Sequence, residues 1–272
     1  MKNIKYILLI ITGIFFTACT DVVDVDLETG PTRLVVDAQL QWLKGTDGSE
    51  QVIKLSTTTG YYEQEIPVVT NATVFITNSE GTVFTFNENN GTGNYICNNF
   101  IPVIGEEYTL TVEYNEETYV GTETLYAVSE ISEIVQDNEG GFGGDDIEVR
   151  IKWMDNPDEI NYYMVRFDTD RLPYPDYDVM DDEFFQGNEM FTFIDDEDFE
   201  AGDVVDMKLY GISEQYFNYM MTLLGVTEGG GSPFQTPPVG VRGNMVNIDN
   251  EDNFPVGYFS ITETDKTSYT IQ

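Results

Sequence analysis

The sequence predicts a mainly β protein: an N-terminal β-sandwich followed by a second β-rich domain that contains one amphipathic helix. Three observations predict it. Short runs rich in β-branched and aromatic residues recur at close spacing, separated by clusters of Gly, Asn and Asp. Within the runs apolar and polar residues alternate, as Tyr108, Leu110, Val112 and Tyr114 do in Glu107 to Tyr114, which is the period of a half-buried strand. One stretch, after Ser213, instead carries apolar residues at helical spacing.

The chain begins with Lys2 and Lys5, runs apolar from Tyr6 to Phe16, and reaches Thr17-Ala18-Cys19. A short positive segment, an apolar core and small residues before a cleavage point are the parts of a secretory signal. At about 1.5 Å per residue this core is too short to cross about 30 Å of hydrocarbon. Phe16-Thr17-Ala18-Cys19 resembles the lipobox of bacterial lipoproteins, so residues 1–18 are expected to be removed and Cys19 to be lipidated. Two or three acyl chains on one cysteine make a durable anchor where a single chain does not. Residues 19–30 then form an acidic tether, Thr20-Asp-Val-Val-Asp-Val-Asp-Leu-Glu-Thr-Gly30. Acidic residues after the lipidated cysteine resemble a surface-export signal of Bacteroidota lipoproteins.

Residues 31–127 carry seven strand candidates: Arg33 to Leu40, Val52 to Ser56, Ala72 to Thr77, Thr82 to Phe86, Tyr95 to Cys97, Glu107 to Tyr114 and Thr118 to Thr122. Asn78-Ser79-Glu80-Gly81 and Asn115-Glu116 are polar enough to close hairpins. The order of a Val-Phe-Ile-Thr-Asn hairpin, a Gly-x-Tyr and Gly-Glu-Glu-Tyr-Thr-Leu-Thr-Val looks like a transthyretin-like or Ig-like sandwich. In residues 128–272, Glu130 to Val135 leads into a glycine-rich loop, Asp137 to Asp146. Ile147 to Trp153, Asn161 to Phe167, Phe191 to Ile194, Val204 to Tyr210 and Val256 to Ile261 read as strands, and 171–189 as irregular. The helix is expected near 213–224. Ser213 caps it, Tyr216, Met220, Leu223 and Leu224 form the face that packs on the sheet, and Gly225 ends it.

The composition excludes whole classes of function. The formal charge is −37, with 49 acidic against 12 basic residues, which repels nucleic acid and anionic head groups. Aromatic residues at 13% argue against a disordered acidic tail. There is no histidine, so Ser-His-Asp and Cys-His catalysis and histidine-ligated metals are absent. Cys97 lies in a strand with no intrachain partner once Cys19 is acylated, and reads as a buried inert thiol. The loop at Gly140 to Gly144 matches neither GxGxxG nor a P-loop. Asp195-Asp196-Glu197-Asp198 with Glu200 and Asp203 lacks EF-hand spacing and reads as a solvated acidic turn. No catalytic residue, metal or cofactor is expected.

A family resemblance follows from Trp153-Met154-Asp155-Asn156-Pro157, Asn161-Tyr162-Tyr163, Ile212 to Tyr219, Ser232-Pro233-Phe234, Pro238 to Asn244 and Gly257-Tyr258-Phe259. With Cys19 and Arg33-Leu34-Val35-Val36 near the start, the chain resembles the Bacteroidota lipoprotein family called domain of unknown function 4249. Members are often encoded beside TonB-dependent outer-membrane receptors. The resemblance implies an outer-membrane, surface-exposed accessory that captures an unidentified ligand for such a receptor. It assigns no ligand and no catalytic residue. A structural or adhesion spacer and a carboxylate-based hydrolase are the alternatives. The candidate contact site is the aromatic and acidic stretch holding Tyr174, Tyr177, Phe184 and Phe185, bordered by the loop Gly229 to Pro238, because rings among carboxylates suit ligand capture.

Overall fold

The computed structural model describes residues 30–63, 65–141, 143–144, 146–228 and 240–272. The signal segment, Cys19, the tether as far as Glu28 and Thr29, and the loop Gly229 to Pro238 lie outside the described residues. Residues 32–59 and 63–272 belong to one compact unit. The protein is mainly β, with sandwich-like sheets and one long helix among the described residues.

Seven strands come first: β1 (Leu34–Leu43), β2 (Gln51–Thr57), β3 (Thr73–Asn78), β4 (Val83–Glu88), β5 (Asn94–Cys97), β6 (Glu107–Tyr114) and β7 (Glu117–Thr124). β1, β2 and β5 pair antiparallel in one layer, and β4, β3, β6 and β7 in the other. β4 serves both, since Val83 to Phe86 pair with β3 while Asn87 and Glu88 pair with β5. Alternation sends Val36, Ala38 and Leu40 of β1 and Leu110 and Val112 of β6 into one shared core. The β6–β7 hairpin closes on Asn115 and Glu116, both at positive φ (52° and 63°), the twist that a two-residue hairpin turn requires. Cys97 is buried in this core, with its Sγ 3.2 Å from Asn99 Oδ1.

The rest of the chain adds β8 (Ile131–Gly140), β9 (Asp146–Met154), β10 (Tyr162–Thr169), β11 (Asp176–Asp181), β12 (Glu189–Asp196), β13 (Val204–Ile212), α1 (Glu214–Glu228), β14 (Val246–Asn247) and β15 (Val256–Thr270). β12, β9 and β8 form a separate three-stranded sheet. It packs on β10 and β13 through Val149, Ile151 and Trp153 on one side and Val165, Phe167, Met207 and Leu209 on the other. Trp153 and Tyr163 meet at 5.4 Å between ring centroids. Asp155, nearly fully buried, accepts the Tyr163 hydroxyl at 2.7 Å and the Gly187 amide at 2.7 Å, which ties the β9–β10 turn to the β11–β12 turn.

β15 joins the two parts. Val256 to Thr264 run parallel to β1, and Thr264 to Thr270 run antiparallel to β13, so a single sheet passes from β11 to β14. Phe259 and Ile261 enter the first core, and Tyr269 and Ile271 pack with the second. Close pairing at the start of β15 demands glycine: Gly257 has φ 102°, and a Cβ there would lie 2.0 Å from the Val36 carbonyl oxygen.

Three local expectations need correction. The irregular stretch 171–189 contains a strand, β11, paired along β10 from Phe167↔Asp176 to Tyr162↔Asp181. Its alternating aspartates have low strand propensity, and pairing overrides it. The loop expected from Asp137 to Asp146 is shorter, because β8 continues to Gly140 through two irregularities in its register. The helix does not stop at Gly225 but runs to Glu228. One glycine costs a helix about 1 kcal/mol relative to alanine, which packing along the rest of its length can offset.

Candidate functional site

The strands of the second half present two faces. Residues one position away from the core face point the other way, and there Met164 of β10, Tyr210 and Ile212 of β13 and Tyr258 of β15 meet α1. The helix is registered by its cap: Ser213 Oγ accepts the Tyr216 amide at 3.0 Å, and the Ser213 carbonyl accepts the Phe217 amide at 2.9 Å. From that start Tyr216, Tyr219, Met220 and Leu223 fall on the sheet side. The rings of Tyr219 and Tyr216 lie 4.6 Å and 4.7 Å from that of Tyr258, centroid to centroid.

A cavity of about 640 Å³ opens between α1, the outward face of β1 and the segment entering β11. Its walls are Tyr174, Tyr177, Tyr216, Tyr219 and Tyr258, with Met220, Leu223 and Leu224. Val35, Asp37 and Gln39 come from β1, whose alternation turns them away from the core. Asp176 and Thr227 complete the polar lining, and no lysine or arginine is among the described lining residues.

The electrostatics follow from this setting. Burial pushes the hydroxyls of Tyr177, Tyr216, Tyr219 and Tyr258 up, so these phenols stay neutral at physiological pH. The Arg166 guanidinium, 5.8 Å from the Tyr177 centroid, pulls that phenol the other way. Asp168 holds Arg166 at 2.7 Å. Desolvation raises the Asp176 carboxyl, the Tyr177 amide lowers it, and Asp178 and Asp195 add to the rise.

Of the four candidates, Tyr174 and Tyr177 line the cavity, with Tyr174 at its rim and 80% exposed. Phe184 and Phe185 do not line it. They sit on the turn after β11, 84% and 45% exposed. Sequence reasoning placed Tyr216 on the face that packs on the sheet, as it does, and did not place Tyr216, Tyr219 or Tyr258 beside Tyr174 and Tyr177. Two tyrosines three apart on one helix face, followed by methionine, were the available signal. The acidic turn at 195–203 is organised by a cation: Arg171 Nε lies 2.7 Å from Asp203 Oδ2, and its Nη2 3.2 Å from Glu200 Oε2. That engagement leaves fewer free oxygens for a metal.

The profile of a family described as "Domain of unknown function (DUF4249)" matches residues 20–268. No curated protein matches the chain. Among solved structures, a two-fibronectin type-III-domain segment from chicken tenascin aligns at 11% identity over 61% of this chain and 86% of that one, with TM-score 0.23. A cytokine receptor complex aligns at 7% identity over 68% and 86%, with TM-score 0.25.

Proposed function

The chain belongs to the family described as "Domain of unknown function (DUF4249)", and from that premise we propose that it is an outer-membrane surface lipoprotein, anchored through Cys19, that captures a ligand for a TonB-dependent receptor. The observation that carries the proposal is the tyrosine-walled cavity of about 640 Å³. Its volume falls within the range of roughly 300–1,000 Å³ for small-molecule sites, and its lining, mostly apolar with a few polar groups, is of the same kind. The role is binding and not catalysis. The described lining is mostly phenols and aliphatic chains, with the carboxylates of Asp37 and Asp176, and the chain has no histidine to move protons near neutral pH. The lipobox-like Phe16-Thr17-Ala18-Cys19 supports the anchor.

Two measurements test the reading. The anchored protein, used as bait on solubilised outer membranes, is expected to recover a β-barrel receptor of the TonB-dependent type, and recovery of none overturns the partnership. Cys19→Ala is expected to move the protein out of the membrane fraction, and retention there overturns the anchor. A spacer role is the second reading, supported by the continuous pairing of β13, β15 and β1 through both cores. It predicts that cavity substitutions leave receptor recovery unchanged.

A further inference from the structure

We propose that the cavity under α1 takes a small organic cation, an ammonium group carrying an apolar body, and this rests on the reading of the cavity as the capture site. Five tyrosine rings reach the cavity, and the face of an aromatic ring attracts a positive charge within about 6 Å of its centroid. Among the described lining residues, the two ionisable side chains other than tyrosine are both carboxylates, Asp37 and Asp176. Asp37 projects from the exposed face of β1, and Asp176 stands at the start of β11, so acids from two separate elements line the same cavity as the rings. Arg166, the guanidinium beside Tyr177, is neutralised by Asp168 and does not line the cavity. An anion would enter a space lined by aromatic rings and carboxylates in a chain of formal charge −37, and would be repelled by that charge. A neutral apolar ligand would leave Asp176 without a cation from the described lining, whereas Asp37 has Lys54 opposite it on β2. A cation pairs with the carboxylates and the rings together. The polar tip and apolar body of each tyrosine suit a ligand whose charge sits on a hydrocarbon group.

Calorimetric titration of the purified protein with three isosteres separates charge from shape: choline, neutral 3,3-dimethylbutan-1-ol and anionic 3,3-dimethylbutanoate. Choline is expected to bind about 10-fold or more tightly than the alcohol, a difference of about 1.4 kcal/mol, and the carboxylate to show no saturable binding. Tyr219→Phe, which keeps the ring, is expected to retain choline binding, whereas Tyr219→Leu and Tyr177→Leu lose about 10-fold of it with an unchanged circular dichroism spectrum. Equal binding of the alcohol, tighter binding of the carboxylate, or equal affinity of Tyr219→Leu and Tyr219→Phe overturns the proposal. Tetralysine binding more tightly than choline overturns it in favour of a basic peptide. If choline does not bind while Tyr219→Leu abolishes receptor recovery, the ligand class fails and the capture reading stands. If choline binds as expected and no receptor is recovered, the ligand class stands and the partnership fails.

Discussion

The sheet formed by β10, β13 and β15 is packed from both sides, and the two layers differ in kind. On one side a second sheet meets it. Val149, Ile151, Trp153, Val165, Phe167, Met207 and Leu209 interlock there with essentially no exposure. On the other side a single helix meets it, and the contact is made by tyrosine and methionine: Tyr210, Tyr216, Tyr258, Met164 and Met220, with Tyr219 and Tyr177 half-buried. Two twisted sheets can cover each other across their full width. A helix is a cylinder roughly 10–12 Å across and covers only a band of the sheet. Here the uncovered part is the outward face of β1, and the cavity lies beside it. Tyrosine suits that boundary because its ring packs while its hydroxyl finds a partner, as Tyr258 does by donating to Glu123 Oε2 at 3.2 Å. Interior packing of this half is therefore set by sheet on sheet, and the cavity by helix on sheet.

That contrast can be broken first where it is densest. Trp153→Ala removes a fully buried ring from the sheet-on-sheet layer and is expected to cost about 3–5 kcal/mol, read as a lower denaturant midpoint. A loss below about 1 kcal/mol would mean the layer is loosely packed. The helix layer is expected to give less. Ser213→Ala removes the side-chain acceptor of the Tyr216 amide and should cost about 1 kcal/mol. Near-UV circular dichroism from the tyrosines is expected to fall before the far-UV signal of the strands during denaturation, and coincident curves would show that α1 does not loosen separately.

The smallest effect is a sign. Glu123 reaches Tyr258 from β7, and burial pushes its carboxyl up, opposed by the Thr124 amide, Ser213 and Tyr258. With the folded value raised, the folded chain holds this proton more tightly than the unfolded chain does. The stability from protonation is fully present below the unfolded value and is lost as pH rises through the folded one. Glu123→Gln is expected to be more stable than the parent at neutral pH, with the advantage shrinking as pH falls toward and below the ordinary value of 4.5. An advantage that grows on acidification would reverse the assigned shift.

Much of the fold was legible along the chain because its signals are local. Period-two alternation marked β6 and β9, and Ser213 marked the start of α1. Where local signals conflicted the reading slipped: Asp176, Asp178 and Asp181 hid β11, and Gly225 suggested an end that α1 does not have. Of the rings in the candidate site, Tyr174 and Tyr177 stood out in an acidic segment and line the cavity, but Phe184 and Phe185 carried the same local signal and lie on an exposed turn that does not line it.

The sequence by itself determined the number and type of most elements, the helix cap, the acidic surface and the absence of imidazole chemistry, since each depends on neighbours within a few residues or on composition alone. Only the tertiary structure decided that β1 lies parallel to β15, more than two hundred residues away in the chain, and that Asp37 therefore shares a cavity with Tyr177, Tyr219 and Tyr258. Alternation states which residues share a face of a strand. It does not state which strand lies alongside or what covers that face, and such non-local pairing carries no mark in the few residues around each partner.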